Sequence, residues 1–137
     1  MQKMWETHSA QETEAVGEEI AASLQGGQVL ALYGGMGMGK TAFVRGVARG
    51  LQLSAEVSSP TFALVHDYGG NPSLVHFDMY RISSWEDLLS TGYYDYLDAG
   101  AILVVEWSEN IEAALPEDTL RLRISAPDAT TRIIERF

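Results

Sequence analysis

Apolar and polar positions follow different periods along this chain, and each period predicts an element. Val16, Ile20 and Leu24 recur at every fourth position and form one apolar helix face. Ser9 and Glu12, three apart just ahead of them, have the spacing of a capping box. There a hydroxyl and a carboxylate satisfy backbone N–H groups that the first turn leaves unpaired. The pattern predicts a helix from there to Gly26-Gly27, where glycine stops it. Residues 28–33 form an apolar strand, and a helix runs from Lys40 to Gly50. Residues 61–68 and 73–77 are two short strands about a Gly-Gly-Asn-Pro turn. Ser83 and Glu86 repeat the capping-box spacing and open a short helix, with a further turn over residues 93–97. The unbroken run Ala101, Ile102, Leu103, Val104, Val105 is a strand covered on both faces. A short helix over 109–115 ends before Pro116. Leu120, Leu122 and Ile124 alternate with Arg121 and Arg123, so residues 119–126 form a half-exposed strand, with 131–137 as its hairpin partner. Helices interleaved with buried and half-buried strands predict an α/β fold in three layers, its sheet mixed and partly parallel.

The segment between the first long strand and the second helix carries the chemistry. Gly34-Gly35-Met36-Gly37-Met38-Gly39-Lys40-Thr41 is a complete G-x-x-x-x-G-K-T, and strand, glycine loop and helix follow in the order that makes it a phosphate-binding loop. Glycines lack Cβ atoms, so the backbone curls until successive N–H groups face inward as an anion nest. The N-terminus of the helix adds its positive dipole at the same point. Residues Gly34 to Ala42 are therefore the expected cradle of a nucleoside triphosphate. Lys40 is expected to reach the β- and γ-phosphates, and the Thr41 hydroxyl to bind Mg²⁺, a cation that takes oxygen ligands. The fold class is thus P-loop NTPase-like.

Hydrolysis needs acids near the metal and an oriented water. Glu106 directly follows the buried run that ends at Val105, the Walker-B arrangement; the plain alternative is an acid that leaves the core at a strand end. Asp78 ends the other candidate strand, positioned to reach Mg²⁺ through a water. His76 shares the strand face of Asp78 and reads as a hydrogen-bonded core histidine. Arg81 divides evenly between a surface ion pair and a charge-stabilising role. Ser59 and Thr61, around Pro60, occupy the place of a nucleotide-sensing loop, although spacing alone favours an ordinary hydroxyl-rich turn. Trp107 reads as a wall residue, and His8 and His66 belong to no constellation.

Charge and composition narrow the function further. At 137 residues the chain is expected to form one domain, 1–137, with room for one sizeable core. It has no cysteine, which excludes disulfides and thiolate chemistry. Residues 1–14 lack the apolar core of a secretory leader, and no apolar run is long enough to span a bilayer, so the expected location is the cytoplasm. The net charge of −10 argues against a free-standing nucleic-acid binder, whose affinity rests on neutralising phosphates, but suits a subunit of a basic partner. The only lysines are Lys3 and Lys40, so the Asn-Lys-x-Asp guanine reader is absent and ATP is the expected nucleotide. Asp67-Tyr68-Gly69-Gly70 matches D-x-x-G, a pattern frequent by chance.

Taken together, the helix around Glu12-Thr13, the loop Gly34 to Thr41, Ser59-Pro60-Thr61-Phe62, His76-Phe77-Asp78-Met79-Tyr80-Arg81 and Glu106-Trp107 resemble the TsaE (YjeE) family of bacterial P-loop ATPases. The resemblance implies a role in making threonylcarbamoyladenosine at position 37 of tRNA. It implies an accessory ATPase, weak alone and likewise monomeric when free, that binds the TsaB–TsaD heterodimer and supports its turnover, meeting tRNA only through that complex. It also implies that Lys40 and Thr41 bind phosphate and Mg²⁺, that Asp78 and Glu106 sit at the metal and hydrolysis site, that Thr61 belongs to a switch-like loop, and that Thr13 approaches the base. The chain departs from the family pattern at Gly35, Met36 and Met38, where Asp, Leu and Ala are usual. It departs again at Ser108, where proline is common and where serine is expected to cap the next helix. A small-molecule kinase and a nucleotide-dependent binding module without hydrolysis are the alternative readings.

Overall fold

Alternation along the strands decides which side of the sheet each residue serves. The structure is a computed structural model, and it describes residues 3–34, 39–53 and 65–137. The strands are β1 (Met4–Thr7), β2 (Val29–Tyr33), β3 (Val65–Gly70), β4 (Ser73–Asp78), β5 (Ile102–Glu106), β6 (Leu120–Asp128) and β7 (Thr131–Arg136). They form one sheet in the order β1-β7-β6-β2-β5-β4-β3. The central four, β6, β2, β5 and β4, are mutually parallel, and β1, β7 and β3 add antiparallel edges. β2 and β5 are buried along their whole length, as the continuous apolar runs require of strands covered on both faces.

Two helices, α1 (Ala10–Ala21) and α2 (Lys40–Gly50), cover one face. They pack on Leu30, Leu32, Leu74, Ile102 and Val104. The other face, with Val75, Phe77, Leu103 and Val105, is covered by α3 (Trp85–Ser90), α4 (Tyr93–Asp98) and a 3-10 helix (Ser108–Ala114). The arrangement is the expected three-layer α/β fold with a mixed sheet. α1 and α2 cross at glycines: a Cβ on Gly46 would run into the Glu14 carbonyl, and one on Gly17 into that of Phe43.

Local chemistry shifts several boundaries. α1 ends at Ala21, before the glycine pair, because the Ser23 hydroxyl donates to the Ile20 carbonyl (2.8 Å) and turns the chain early. Gly27, at φ 84°, instead serves the entry to β2, where its N–H donates to the Ala101 carbonyl (2.9 Å). α3 is capped by Ser84 rather than Ser83: the Ser84 hydroxyl accepts from the Asp87 N–H (3.0 Å), and the Asp87 carboxylate accepts from the Ser83 N–H (3.2 Å). Ser108 does not cap its helix. Its buried hydroxyl donates back to the Val105 carbonyl (2.8 Å), and Trp107 takes the cap position in the left-handed region. β1 has no counterpart in the sequence pattern. It is four residues long and only Trp5 and Thr7 face inward, while the Trp5 indole N–H donates to Glu19 of α1 (2.7 Å).

Candidate functional site

The parallel strands β2, β4 and β5 end at one edge of the sheet, and Glu106, the last residue of β5, reaches Lys40 at the start of α2. Open parallel sheets hold ligands at such an edge. Gly34, just past β2, has φ 129°, and a Cβ there would collide with the Ile124 carbonyl of β6. Only glycine fits that close approach. Gly39, the residue before α2, has φ 91°, and a Cβ there would meet Arg132 only at an ordinary 3.7 Å. Backbone conformation therefore demands glycine at Gly39, and crowding does not. Gly35, Met36, Gly37 and Met38 lie outside the described residues, as do Ser59, Pro60, Thr61 and Phe62.

Lys40, Glu106 and His76 form a buried polar chain. The Lys40 ammonium donates to the Gly34 carbonyl (2.9 Å) and stands 3.5 Å from Glu106 Oε1. Glu106 Oε2 lies 2.6 Å from His76 Nε2. Burial pushes the Glu106 carboxyl up, but the hydrogen bond and charge of His76, with the charge and hydrogen bond of Lys40, outweigh it, and the group titrates below its ordinary range. An ionised carboxylate only accepts, so His76 Nε2 carries the hydrogen of this bond. His76 Nδ1 is buried and finds no partner among the described residues. His76 is a hydrogen-bonded core histidine, as its place on the strand predicts, with Glu106 as its partner.

The register explains why these groups meet. Asp78 pairs with Glu106, and His76 with Val104, across β4 and β5. Leu74, Ile102 and Val104 face α1 and α2, so alternation puts His76, Asp78 and Glu106 on that face too. Asp78 is half-buried, and its Oδ1 accepts the Tyr80 N–H (2.9 Å). Thr41 and Ala42 lie in the first turn of α2. Arg81 is exposed and makes no ion pair with the described residues. Trp107, half-buried at φ 59°, sets its ring 5.7 Å from the Lys40 ammonium and 5.0 Å from the Tyr80 ring, as a wall residue would. The D-x-x-G match belongs to a hairpin turn, where Asp67 accepts the Gly69 N–H (2.9 Å).

A cavity of about 280 Å³ opens beside Gly39, lined by His8, Thr13, Ala42, Thr130 and Arg132 among others. Thr13 is buried there and shares a 2.7 Å hydrogen bond with the Thr7 hydroxyl. Sequence spacing did not single out His8, Thr130 or Arg132. The only signal was the Asp-x-Thr turn between β6 and β7, where Asp128 accepts from Thr130 N–H (2.9 Å) and so fixes the loop. Arg132 in turn donates to the Thr131 carbonyl (2.9 Å).

The donor set suits a hard cation carried by phosphates. A hydroxyl and two carboxylates supply oxygen, and Mg²⁺ takes few protein ligands when phosphates provide the rest. No three His, Cys, Asp or Glu side chains gather into a metal cage among the described residues.

Comparison with known proteins gives one answer. A family model described as threonylcarbamoyl adenosine biosynthesis protein TsaE matches residues 7–134. A Treponema pallidum protein named tRNA threonylcarbamoyladenosine biosynthesis protein TsaE is 37% identical over 118 residues, covering 86% of this chain and 87% of the relative. The Bacillus subtilis protein of that name is 37% identical over 124 residues, 90% of this chain and 77% of its own length. The crystal structure of Bacillus subtilis YdiB superposes with a TM-score of 0.81 at 31% identity, over 97% of this chain and 82% of that one. With the family model spanning every strand end that forms the site, the chain belongs to the TsaE family of tRNA threonylcarbamoyladenosine biosynthesis proteins.

Proposed function

We propose that this chain binds and hydrolyses ATP as an accessory subunit of the machinery that makes threonylcarbamoyladenosine at position 37 of tRNA, supporting turnover of a TsaB–TsaD transferase. The observation that carries the reading is the buried chain Lys40–Glu106–His76, tied to Gly34 through the Lys40 ammonium. A lysine there has a phosphate-binding geometry available, and an ionised, oriented carboxylate is the group that hydrolysis needs.

In this reading Lys40 neutralises the β- and γ-phosphates, and Thr41 and Asp78 hold Mg²⁺ with Glu106 close by. Mg²⁺, when bound, offsets charge on the phosphate oxygens. Glu106 orients the attacking water and takes its proton as the oxygen bonds to the γ-phosphorus and the bond to ADP breaks. The hydrogen bond from His76 (2.6 Å) holds the carboxylate in one orientation for that task. Thr13, Ala42 and Arg132 form the wall against which the base and sugar rest, in the cavity next to Gly39. The cavity approaches the lower end of the usual 300–1,000 Å³ for small-ligand sites, enough for part of a nucleotide whose phosphates lie outside it.

The test is the ATPase rate of the chain alone and with purified TsaB–TsaD and tRNA. A slow basal rate that rises with the partners is expected; a rate indifferent to them removes the accessory role.

A further inference from the structure

The face opposite the nucleotide site carries a surface that hydrolysis does not use. α3 and the 3-10 helix leave a groove of about 230 Å³ between them, lined by Ile82, Trp85, Leu88, Asn110, Ile111 and Ala114 among others. Trp85 in its lining is 61% exposed, and Leu89 on the same helix is 50% exposed. Trp85 and Leu89 are four apart on α3 and so share one helix face. Trp85 leans on Tyr94, ring to ring at 5.6 Å. Exposed apolar side chains grouped in this way mark interaction sites, and tryptophan is the residue most enriched among binding hot spots.

Charge says what covers it. Between Arg81 and Arg121 the chain has nine Asp and Glu residues and no Lys, Arg or His. Glu106 faces the other side of the sheet, Asp87 caps α3, and Glu112 pairs with Arg121 (3.1 Å). The rest, including Glu86 and Glu109, which adjoin the lining residues Trp85 and Asn110 in the chain, are exposed and unpaired among the described residues. A second copy would press one acidic rim against another, which costs free energy. Nucleic acid would be repelled outright. A small molecule finds too little enclosure, since the groove falls below the usual size of ligand pockets.

We propose that this groove docks a basic protein segment, one apolar side chain seated between α3 and the 3-10 helix and flanking Lys or Arg meeting Glu86 and Glu109. The inference rests on the preceding reading that the chain works with a protein partner. The groove also touches the site: Asn110 donates to the Met79 carbonyl (2.9 Å), one residue past Asp78, and Tyr80 packs on Trp107.

The experiment is calorimetric titration of the full chain into purified TsaB–TsaD with a non-hydrolysable ATP analogue. Trp85→Ala with Leu89→Ala should weaken binding about thirtyfold or more, the scale of losing a hot-spot anchor. Glu86→Lys with Glu109→Lys should weaken it about tenfold at low salt and flatten its salt dependence. Both variants should bind the ATP analogue like the parent; if the first does not, the exposed charge reversals decide alone. Parent-like affinity in the charge reversals, or in a folded Trp85/Leu89 variant, overturns the docking surface and leaves the proposed function intact. No binding by the parent overturns both. A parent that sediments as a dimer and a Trp85/Leu89 variant that does not would give the face to a second copy, and so would also overturn it.

Discussion

The two faces of one sheet have opposite contents. Toward α1 and α2, strands β4 and β5 place His76, Asp78 and Glu106, and His76 and Glu106 join Lys40 in a buried polar chain. Toward α3, α4 and the 3-10 helix, the same strands present Val75, Phe77, Leu103 and Val105, with Phe77 edge-on to Tyr93 at 5.9 Å. There the acidic side chains sit at the rim, in solvent, and the buried hydroxyls of Tyr93 and Ser108 bond backbone carbonyls. The difference shows how alternation along a strand separates tasks: odd and even residues of one five-residue segment build a charged site and a purely apolar support.

The sharpest way to break this contrast is at Lys40. Lys40→Ala should abolish ATPase activity and weaken ATP binding roughly 10- to 100-fold, the worth of one or two hydrogen bonds to a charged group. Equal ATP affinity in mutant and parent by calorimetry would falsify the phosphate role. Glu106→Gln should cut turnover by about 10²- to 10⁴-fold, the range of a general base, while leaving ATP affinity within a few-fold of the parent. Undiminished hydrolysis takes Glu106 out of the mechanism. His76→Leu should lower the catalytic rate by roughly 10- to 100-fold with little change in ATP affinity, as when a group that orients a reacting carboxylate is lost. A fall in affinity equal to the fall in rate would mean that His76 is merely structural.

The smallest effect separates the faces by pH. The folded Glu106 carboxyl lies below its ordinary 4.5, so its pairing contributes stability present above that value and lost as pH falls through the folded one. Tyr93 has the reverse sign. Burial pushes its hydroxyl up from 10.0 to about 12, so its contribution is complete below 10.0 and disappears as pH climbs through that interval. Urea denaturation across pH should show the acid limb shallower in Glu106→Gln and the alkaline limb shallower in Tyr93→Phe. Tyr33, also raised to about 12 by burial first, preserves part of the alkaline limb. Identical acid limbs in Glu106→Gln and the parent would separate Glu106 from acid stability.

The elements most legible in the sequence were those whose chemistry is local. The glycine loop and the two buried runs announce β2, β5 and α2, because a continuous apolar strand and a lysine after glycine have few other uses. The hairpin of β6 and β7 followed from the alternation of Leu120, Leu122 and Ile124. Contacts between distant segments were less legible. The link from His76 to Glu106 depends on β4 lying beside β5 in a given register, which spacing along either strand does not reveal. The cavity beside Gly39 needs α1, α2 and the β6–β7 turn to converge, so Arg132 and Thr130 looked like ordinary hairpin residues. β1 was hidden because half of its four residues face solvent.

The bare crossing of α1 and α2 has a consequence for the spacing of the proposed ligand contacts. With Gly17 and Gly46 letting backbone meet backbone, the two helices have no side-chain cushion there to slide on. Thr13 belongs to one of them and Lys40 to the other. The distance between Thr13 and Lys40, on which the proposed hold on base and phosphates depends, is therefore set by two helical backbones in contact. A single methyl at Gly46 would act as a spacer, lengthening the grip instead of weakening either end of it.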